Sequence, residues 1–462
     1  MSDINAVLAR IDGNLDASLK RLFEFLAIPS ISTDSAYRAE CRRAAQWAAD
    51  QLAGIGFQAR VADTAGHPMV VAHRKPAGAA RHVLFYGHYD VQPPDPLDLW
   101  KTPPFEPRLE EGPRGRQIVG RGSSDDKGQL STFLEAARAW IEATGELPVA
   151  VTILLEGEEE SGSPSLKPFF DAHKDELKAD LALVCDTGMW DASTPAVTTR
   201  LRGLVGEEVT VTTAGRDLHS GMYGGPALNP IKVLANLLAT LHTADGRVAI
   251  PGFYEGVEEL PEAIAAQWRG LGFDEKGFLG EAGLGVAAGE EGRSVLEKIW
   301  ARPTCEINGI TGGYTGEGFK TVIPAQASAK ISFRLVGGQD PIRIREAFRA
   351  FLSGQLPEGA KIGFREHGAS AALELPADSP ALALAAAGLR EEWNKEPILM
   401  GSGGSIPIVG AFKRDLGMDT LLIGFALDDD RIHSPNEKYE LTSFHKGTRS
   451  WARILARLAQ WR

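Results

Sequence analysis

The strongest constraint on the fold is the alternation of short apolar segments with amphipathic segments in the first part of the chain. Residues 82–86 and 149–155 are apolar runs of strand length, and a helical pattern over residues 130–143 separates them. A third apolar run, at residues 181–185, predicts another strand. Strands that alternate with helices form an α/β sheet, and functional groups gather at the carboxyl ends of its strands. The residues that follow each predicted strand are therefore the first candidates for chemistry.

Histidine and carboxylate side chains follow each of these strands, and two further loops carry the same residue types. The motifs are Gly-His-Tyr-Asp at 87–90, Gly-Arg-Gly-Ser-Ser-Asp-Asp-Lys-Gly at 120–128, Glu-Gly-Glu-Glu-Glu-Ser-Gly-Ser at 156–163, Cys-Asp at 185–186 and Asp-Asp-Asp-Arg-Ile-His-Ser-Pro-Asn-Glu at 428–437. Taken singly, each motif has an ordinary alternative, namely a solvated acidic turn, a helix cap or a structural histidine.

Taken together, the motifs predict a metal site. Carboxylates crowded at the end of an apolar strand repel one another and resist desolvation, so a cation is expected beside them. Residues two apart in an extended backbone face the same side, so His88 and Asp90 can act as a ligand and the outer carboxylate that fixes its tautomer. Two imidazoles and several carboxylates suit Zn or Mn, and they are enough for a two-metal site.

Composition excludes several classes of function. The net charge of -12 argues against binding to nucleic acid or to an anionic membrane surface, because both need a basic excess. Three widely spaced cysteines argue against a disulfide framework and fit a reducing compartment.

The N-terminal apolar residues from Ile4 to Phe23 recur at helical spacing, which predicts one amphipathic helix and no signal peptide. No apolar stretch is long enough to span a bilayer. We therefore expect a cytoplasmic protein.

The length of 462 residues favours two or more domains. From about residue 204 the pattern changes to alternating strands at 207–213 and 330–336 with helices at 230–241 and 342–352, and a Gly- and acid-rich stretch lies between. This block predicts a small α/β sandwich inserted into the first domain. The domains expected are a catalytic domain over 1–203 and 379–462, and an inserted domain over 204–378.

The motifs resemble those of the M20 family of metallopeptidases and, within it, the carnosinase-like cytosolic dipeptidases. Two more segments contribute to the resemblance, Asp-Leu-His-Ser-Gly at 217–221 and Gly-Gly-Ser-Ile-Pro at 403–407. The resemblance implies an α/β fold with a zinc-peptidase-like catalytic domain, whose central mixed sheet is flanked by helices. It also implies that the inserted α/β sandwich is a lid and dimerisation domain, and that the protein is a homodimer.

The same resemblance implies a ligand set for two divalent metal ions per subunit, with Zn favoured and Mn as the alternative. His88 and Asp186 would hold one ion, Glu160 and His433 would hold the other, and Asp125 would bridge the two.

Catalytic roles are implied in the same way. Asp90 would support His88, and Glu159 would be the general base that activates a metal-bridging water. His219 would reach into the neighbouring subunit's active site and stabilise the oxyanion there. For substrate binding, Arg334 would grip the substrate carboxylate, and Gly404 and Ser405 would belong to a Gly-rich binding loop.

The implied reaction is hydrolysis of the peptide bond in dipeptides or short peptides with a free C-terminal carboxylate. An amidohydrolase that deacylates N-acyl amino acids is the nearest alternative. Asp at position 186 favours a peptidase, since in the resembled family dipeptidases and aminopeptidases tend to carry Asp there, whereas many deacylases and carboxypeptidases carry Glu. A two-metal phosphoesterase is a second alternative, but the chain has no P-loop and no basic cluster around the motifs. A non-catalytic binding protein is the third. The partner expected is a small peptide, with no nucleic acid and no membrane.

Overall fold

The computed structural model describes residues 2–404 and 406–461, and these form two compact units. The first unit comprises Met1–Thr199, Leu375–Met400 and Ala411–Arg462. The second unit comprises Arg200–Glu374 and Gly401–Gly410. The catalytic and lid roles assigned to 1–203, 204–378 and 379–462 stay a prediction.

Strands occur in both units and are numbered in chain order. They are β1 (Gln58–Ala62), β2 (Met69–Arg74), β3 (His82–His88), β4 (Arg108–Gly112), β5 (Gly115–Val119), β6 (Ala150–Glu156), β7 (Leu181–Val184), β8 (Ala196–Leu201), β9 (Gly203–Thr212), β10 (Leu218–His219), β11 (Thr304–Gly312), β12 (Val322–Ile323), β13 (Gln326–Leu335), β14 (Lys361–Ser370), β15 (Leu373–Glu374), β16 (Ile398–Ser402), β17 (Asp419–Leu422) and β18 (Lys438–Glu440).

The helices are numbered in the same way. They are α1 (Ser2–Gly13), α2 (Leu15–Leu26), α3 (Arg38–Gly54), α4 (Lys127–Thr144), α5 (Leu166–Ala172), α6 (Lys174–Leu177), α7 (Ser220–Tyr223), α8 (Pro230–Ala239), α9 (Glu262–Arg269), α10 (Glu275–Glu281), α11 (Val295–Trp300), α12 (Pro341–Ser353), α13 (Pro380–Trp393), α14 (Pro407–Leu416) and α15 (Leu441–Leu458). Within the described part of the chain, none of these helices has the length and apolar character needed to cross a bilayer.

A mixed sheet with the order β1-β2-β6-β3-β7-β17-β8 is the centre of the first unit. The four strands β6, β3, β7 and β17 run parallel to one another, and β1, β2 and β8 pair antiparallel. Parallel strands end at the same edge of a sheet, so the loops that follow β6, β3 and β7 emerge side by side. The predicted α/β class with a central mixed sheet is confirmed.

Aromatic packing joins this sheet to the helices that flank it. Phe85 of β3 stacks on Phe133 of α4 with ring centroids 3.8 Å apart, and Trp451 of α15 meets Phe133 edge-on at 5.5 Å. All seven residues of β6 are buried, which is typical of a strand covered on both faces. This core fixes the strand ends from which the polar loops emerge.

The N-terminal prediction of one amphipathic helix is wrong in detail, because the structure has two helices, α1 and α2. The break falls between Gly13 and Leu15, where Asn14 has φ -109° and ψ 9°. Gly and Asn are poor helix formers, and the side chain of Asn14 instead donates a hydrogen bond to Glu142 at 3.3 Å. The apolar spacing continues across the break, which is why the pattern suggested a single helix.

The second unit contains an antiparallel sheet of order β11-β13-β9-β14. Burial alternates along β9 and β13, so one face of the sheet packs on a core that includes Val209, Phe333 and Phe348. Helices α8 and α12 supply the other side of this core. The opposite face of the sheet carries polar residues such as Ser332 and Arg334.

Candidate active site

The strand order brings the polar motifs to one edge of the sheet in the first unit. His88 is the last residue of β3 and lies opposite Glu156, the last residue of β6. On the other side of β3, Tyr86 pairs with Val184 at the end of β7. Glu160 follows β6 in a short 3-10 helix, Glu159–Ser161, and Asp186 follows β7.

One group of possible metal ligands consists of His88, Asp125 and Asp186. Their donor atoms all lie within 4.8 Å of one another. His88 Nε2 is 3.1 Å from Asp125 Oδ1 and 4.0 Å from Asp186 Oδ2. His88 and Asp125 are buried, and Asp186 is half-buried.

A second group consists of Asp125, Glu160 and His433, and it meets the same limit of 4.8 Å. His433 Nε2 is 2.9 Å from Asp125 Oδ2 and 3.3 Å from Glu160 Oε2. Asp125 therefore faces one histidine with each of its two carboxylate oxygens. A shared carboxylate between two sets of N and O donors is an arrangement suited to two neighbouring divalent cations.

The electrostatics of these groups also fit bound cations. Burial and the nearby Asp125 carboxylate raise the pKa of Asp186 to about 7. Hydrogen bonds to Asp125 and Glu160 raise the pKa of His433 to about 10. Both shifts reflect the surplus of negative charge among these groups, which a divalent cation would neutralise.

Asp90 supports both His88 and the loop that carries the glutamates. His88 Nδ1 is 3.2 Å from the backbone oxygen of Asp90 and 3.3 Å from its Oδ1. The Asp90 carboxylate also accepts hydrogen bonds from the backbone N–H groups of Glu159, at 3.3 Å, and Glu160, at 3.0 Å. These contacts leave Nε2 of His88 directed at Asp125, which is the orientation a metal ligand needs.

Glu159 belongs to the loop that Asp90 supports and directly precedes the candidate ligand Glu160. Its side chain is half-buried, and burial raises the pKa of its carboxyl, with further contributions from the negative charges of Glu160 and Asp90. A carboxylate with a raised pKa accepts a proton more readily near neutral pH, as a general base must. The adjacent Glu158 has a different environment, because its carboxylate accepts hydrogen bonds from the backbone N–H groups of His67 and Ser165.

Two side chains at this site received no role from the sequence. Gln92 Nε2 donates to Glu160 Oε2 at 2.7 Å. Glu437 accepts from the backbone N–H groups of Ser124, at 2.8 Å, and Asp125, at 3.0 Å. The signal for Gln92 was its position two residues after Asp90, and the signal for Glu437 was its place in the same motif as His433. Neither signal identifies the partner, which is far away in the sequence.

The remaining predicted residues belong to the second unit. His219 ends β10, is exposed, and accepts a hydrogen bond at Nδ1 from the backbone N–H of Gly221 at 3.0 Å. Arg334 is half-buried on β13, between Thr304 of β11 and Leu204 of β9. Gly404 is exposed and donates its N–H to Ser402 Oγ at 3.1 Å. Ser405 lies outside the described residues, so its predicted role stays a prediction.

Comparison with known proteins identifies the family. The model of peptidase family M20/M25/M40 matches residues 84–457. The chain belongs to this family. It is 30% identical over 452 residues to the Cys-Gly metallodipeptidase DUG1 of Candida albicans, with 94% of this chain and 92% of that protein covered.

Solved structures of the family have the same fold over nearly the whole chain. The structure of human carnosine dipeptidase 1 has a TM-score of 0.75 and 28% identity, covering 99% of each chain. The M20 family metallo-carboxypeptidase Sso-CP2 from Sulfolobus solfataricus has a TM-score of 0.79 and 30% identity, covering 96% of this chain and 99% of that one. The predicted family, the resemblance to carnosinase-like dipeptidases and the prediction of a hydrolase are confirmed.

The shared position of Asp125 leads to a prediction about metal content. Asp125→Ala is expected to remove nearly all bound zinc, because both donor groups lose a ligand. His88→Ala and His433→Ala each remove a ligand from only one group and are expected to lower the zinc content by about half. The measurement is elemental analysis of zinc-loaded protein after dialysis against metal-free buffer.

His445→Ala is the matched control for the histidine variants. His445 pairs with Asp12 at 2.8 Å and is outside the ligand motifs, so this variant should keep the full metal content. If His433→Ala lost as much zinc as Asp125→Ala, the assignment of the histidines to separate ions would be contradicted.

Proposed function

We propose that this protein is a dinuclear metallodipeptidase that cleaves dipeptides or short peptides with a free C-terminal carboxylate. The observation that carries the proposal is the Asp125 carboxylate, which is shared by two donor groups, each with one histidine and one further carboxylate. The names of the relatives supply the substrate class, since they include a Cys-Gly dipeptidase and a carnosine dipeptidase. Sso-CP2 is named a carboxypeptidase, so it too acts next to a terminal carboxylate.

The proposed metal ligands are His88, Asp125 and Asp186 for one ion, and Asp125, Glu160 and His433 for the other. Zn and Mn both suit this set of imidazole and carboxylate donors. When bound, two such ions lower the pKa of a water molecule and polarise a scissile carbonyl group. Gln92 and Asp90 keep the ligands oriented, because each bonds to a ligand side chain or to its backbone.

Glu159 is the proposed general base. Its raised pKa allows the carboxylate to take a proton from the attacking water and then to donate that proton to the leaving amine. Its backbone N–H is fixed by Asp90, so the base is attached to the same support as the ligand His88. A base held next to the nucleophile contributes more than one that must be positioned in each turnover.

His219 and Arg334 are the proposed substrate-binding groups of the second unit. Because Nδ1 of His219 accepts a hydrogen bond, the neutral ring carries its proton on Nε2, which is then a donor suited to an oxyanion. The guanidinium of Arg334 can hold a carboxylate by two parallel hydrogen bonds.

We propose that the active form is a homodimer and that His219 acts in the neighbouring subunit's site. The outer strand β11 supports this proposal, since one of its edges pairs with no other strand in the described part of the chain and can accept a strand from a second copy. Ile307 and Ile310 on this strand are 41% and 61% exposed, and Met222 near His219 is 74% exposed. These apolar side chains would leave water if a second copy covered them. The free, buried cysteines fit the cytoplasmic location expected from the sequence.

A substrate panel tests the reaction class. We expect the purified protein, supplied separately with Zn and Mn, to hydrolyse dipeptides such as Cys-Gly and β-Ala-His faster than N-acetyl or N-succinyl amino acids, as measured by release of free amino acids. Turnover of the acylated set alone would favour deacylation instead. Faster turnover of aryl phosphates would favour phosphoester hydrolysis, and absence of bound metal after gentle purification would favour a binding protein.

Replacing the proposed base should separate catalysis from metal binding. Glu159→Gln is expected to lower kcat by about 100- to 10,000-fold at nearly full metal content, because it removes a proton acceptor and no ligand. Glu160→Gln is expected to lose metal as well as activity. The exposed Glu111 provides the control Glu111→Gln, which should keep both. Equal metal loss in Glu159→Gln and Glu160→Gln would show that the two roles have been exchanged.

Mixed dimers test whether His219 acts across the interface. A His219→Ala subunit and a Glu159→Gln subunit are each expected to be nearly inactive as homodimers, and their mixture is expected to recover part of the activity. One site of the mixed dimer then has an intact Glu159 from one chain and an intact His219 from the other. A mixture of His219→Ala with a double His219→Ala, Glu159→Gln subunit is the control and should stay inactive. No recovery in verified mixed dimers would count against action in trans.

A further inference from the structure

A cavity of about 780 Å³ lies within the second unit, on the polar face of its sheet. Arg334 of β13 and Thr304 of β11 line one side, and Val295 and Lys298 of α11 line another. The volume is in the range of sites that take small organic ligands. Because Arg334 is the proposed holder of the substrate carboxylate, the other charged groups of this cavity bear on which substrates can bind.

Arg202 is a second guanidinium in the same cavity. It immediately precedes β9 and is half-buried. Burial and the positive charge of Arg334 lower the pKa of Arg202 to about 10, and the negative charge of Glu306 opposes this shift only in part. Both guanidinium groups line this one cavity, so their like charges repel each other. Two cations that repel in a partly desolvated cavity destabilise the free protein unless an anion joins them.

Among the residues that the structure describes, no carboxylate oxygen lies within 4.0 Å of either guanidinium group. Arg302, in the same cavity, is different, because its Nε is 2.8 Å from Glu290 Oε2. Within the described chain, the side chain of Arg202 donates a single long hydrogen bond, from Nη1 to the backbone oxygen of Lys298 at 3.5 Å. Its buried Nε has no hydrogen-bond acceptor there. A buried N–H group without an acceptor costs about 1–3 kcal/mol, which an incoming acceptor can recover.

We infer that Arg202 and Arg334 form a two-guanidinium subsite that selects substrates with an acidic C-terminal residue, Asp or Glu. This inference rests on the proposed function, in which Arg334 holds the terminal carboxylate. The side-chain carboxylate of the same residue then accepts hydrogen bonds from Arg202. A single carboxylate neutralises only one guanidinium, whereas a dicarboxylate residue matches the charge of both.

A pair of isosteric substrates tests the selection. We expect kcat/KM for Ala-Glu to exceed that for Ala-Gln by about tenfold or more, because the two differ only in the charged oxygen that Arg202 would bind. Arg202→Gln should bring this ratio close to one, and Arg202→Lys should leave an intermediate ratio, since lysine keeps the charge but loses the fork. Arg269→Gln is the control, because Arg269 is 63% exposed and pairs with Glu262; its ratio should equal that of the unchanged protein.

Product binding gives a second readout that does not depend on turnover. By calorimetry, the full-length protein should bind L-glutamate at least about tenfold more tightly than L-glutamine, and Arg202→Gln should abolish the difference. If no dipeptide is cleaved but this difference is present and depends on Arg202, the proposed function fails and the subsite stands. Equal kcat/KM values for Ala-Glu and Ala-Gln in the unchanged protein would overturn the subsite while the dipeptidase proposal stands. An equal loss of kcat/KM on both substrates in Arg202→Gln and Arg202→Lys would do the same.

Discussion

The Asp125 carboxylate between His88 and His433 is the contact on which the arrangement of the first unit depends. Its two oxygens are 3.1 Å and 2.9 Å from the two imidazoles, and these hydrogen bonds hold the pKa of Asp125 below its ordinary value against the opposing effect of burial. The residue sits just before α4, and its backbone N–H is bonded to the buried Glu437. Displacement of this one side chain would therefore remove a member from each of the two donor groups.

Buried carboxylates also fasten the loops around this contact. Asp90 binds the backbone of the glutamate loop, Glu158 binds the backbone of His67 and Ser165, and Glu437 binds the backbone of the turn before α4. Loops have no ladder of sheet hydrogen bonds, so acceptors from side chains take that place. Charged acceptors give stronger hydrogen bonds than neutral ones. The result is a set of polar loops with the positional precision that a metal site requires.

The sheet edge could be predicted because apolar runs identify the strands and each run ends in a polar motif. The two donor groups unite residues from separate motifs, and the family resemblance, not the spacing, assigned each residue to its group. The supporting bonds of Gln92 and Glu437 were not predictable, since each joins residues far apart in sequence whose meeting depends on the packed sheet. Arg202 was missed for another reason: a lone arginine between two strands has no pattern, and only its place in a cavity with Arg334 gives it meaning.

The parallel pairing of β17 with β7 bears on the order in which the two donor groups form during synthesis. Asp419 pairs with Leu181 in this ladder, so a strand made after the inserted unit completes a sheet begun before it. A ribosome releases the first donor group, ending at Asp186, long before His433 of the second group has been translated. The nascent chain therefore passes through a stage at which only the first donor group is complete, and the second group can assemble only when the C-terminal segment returns to the sheet.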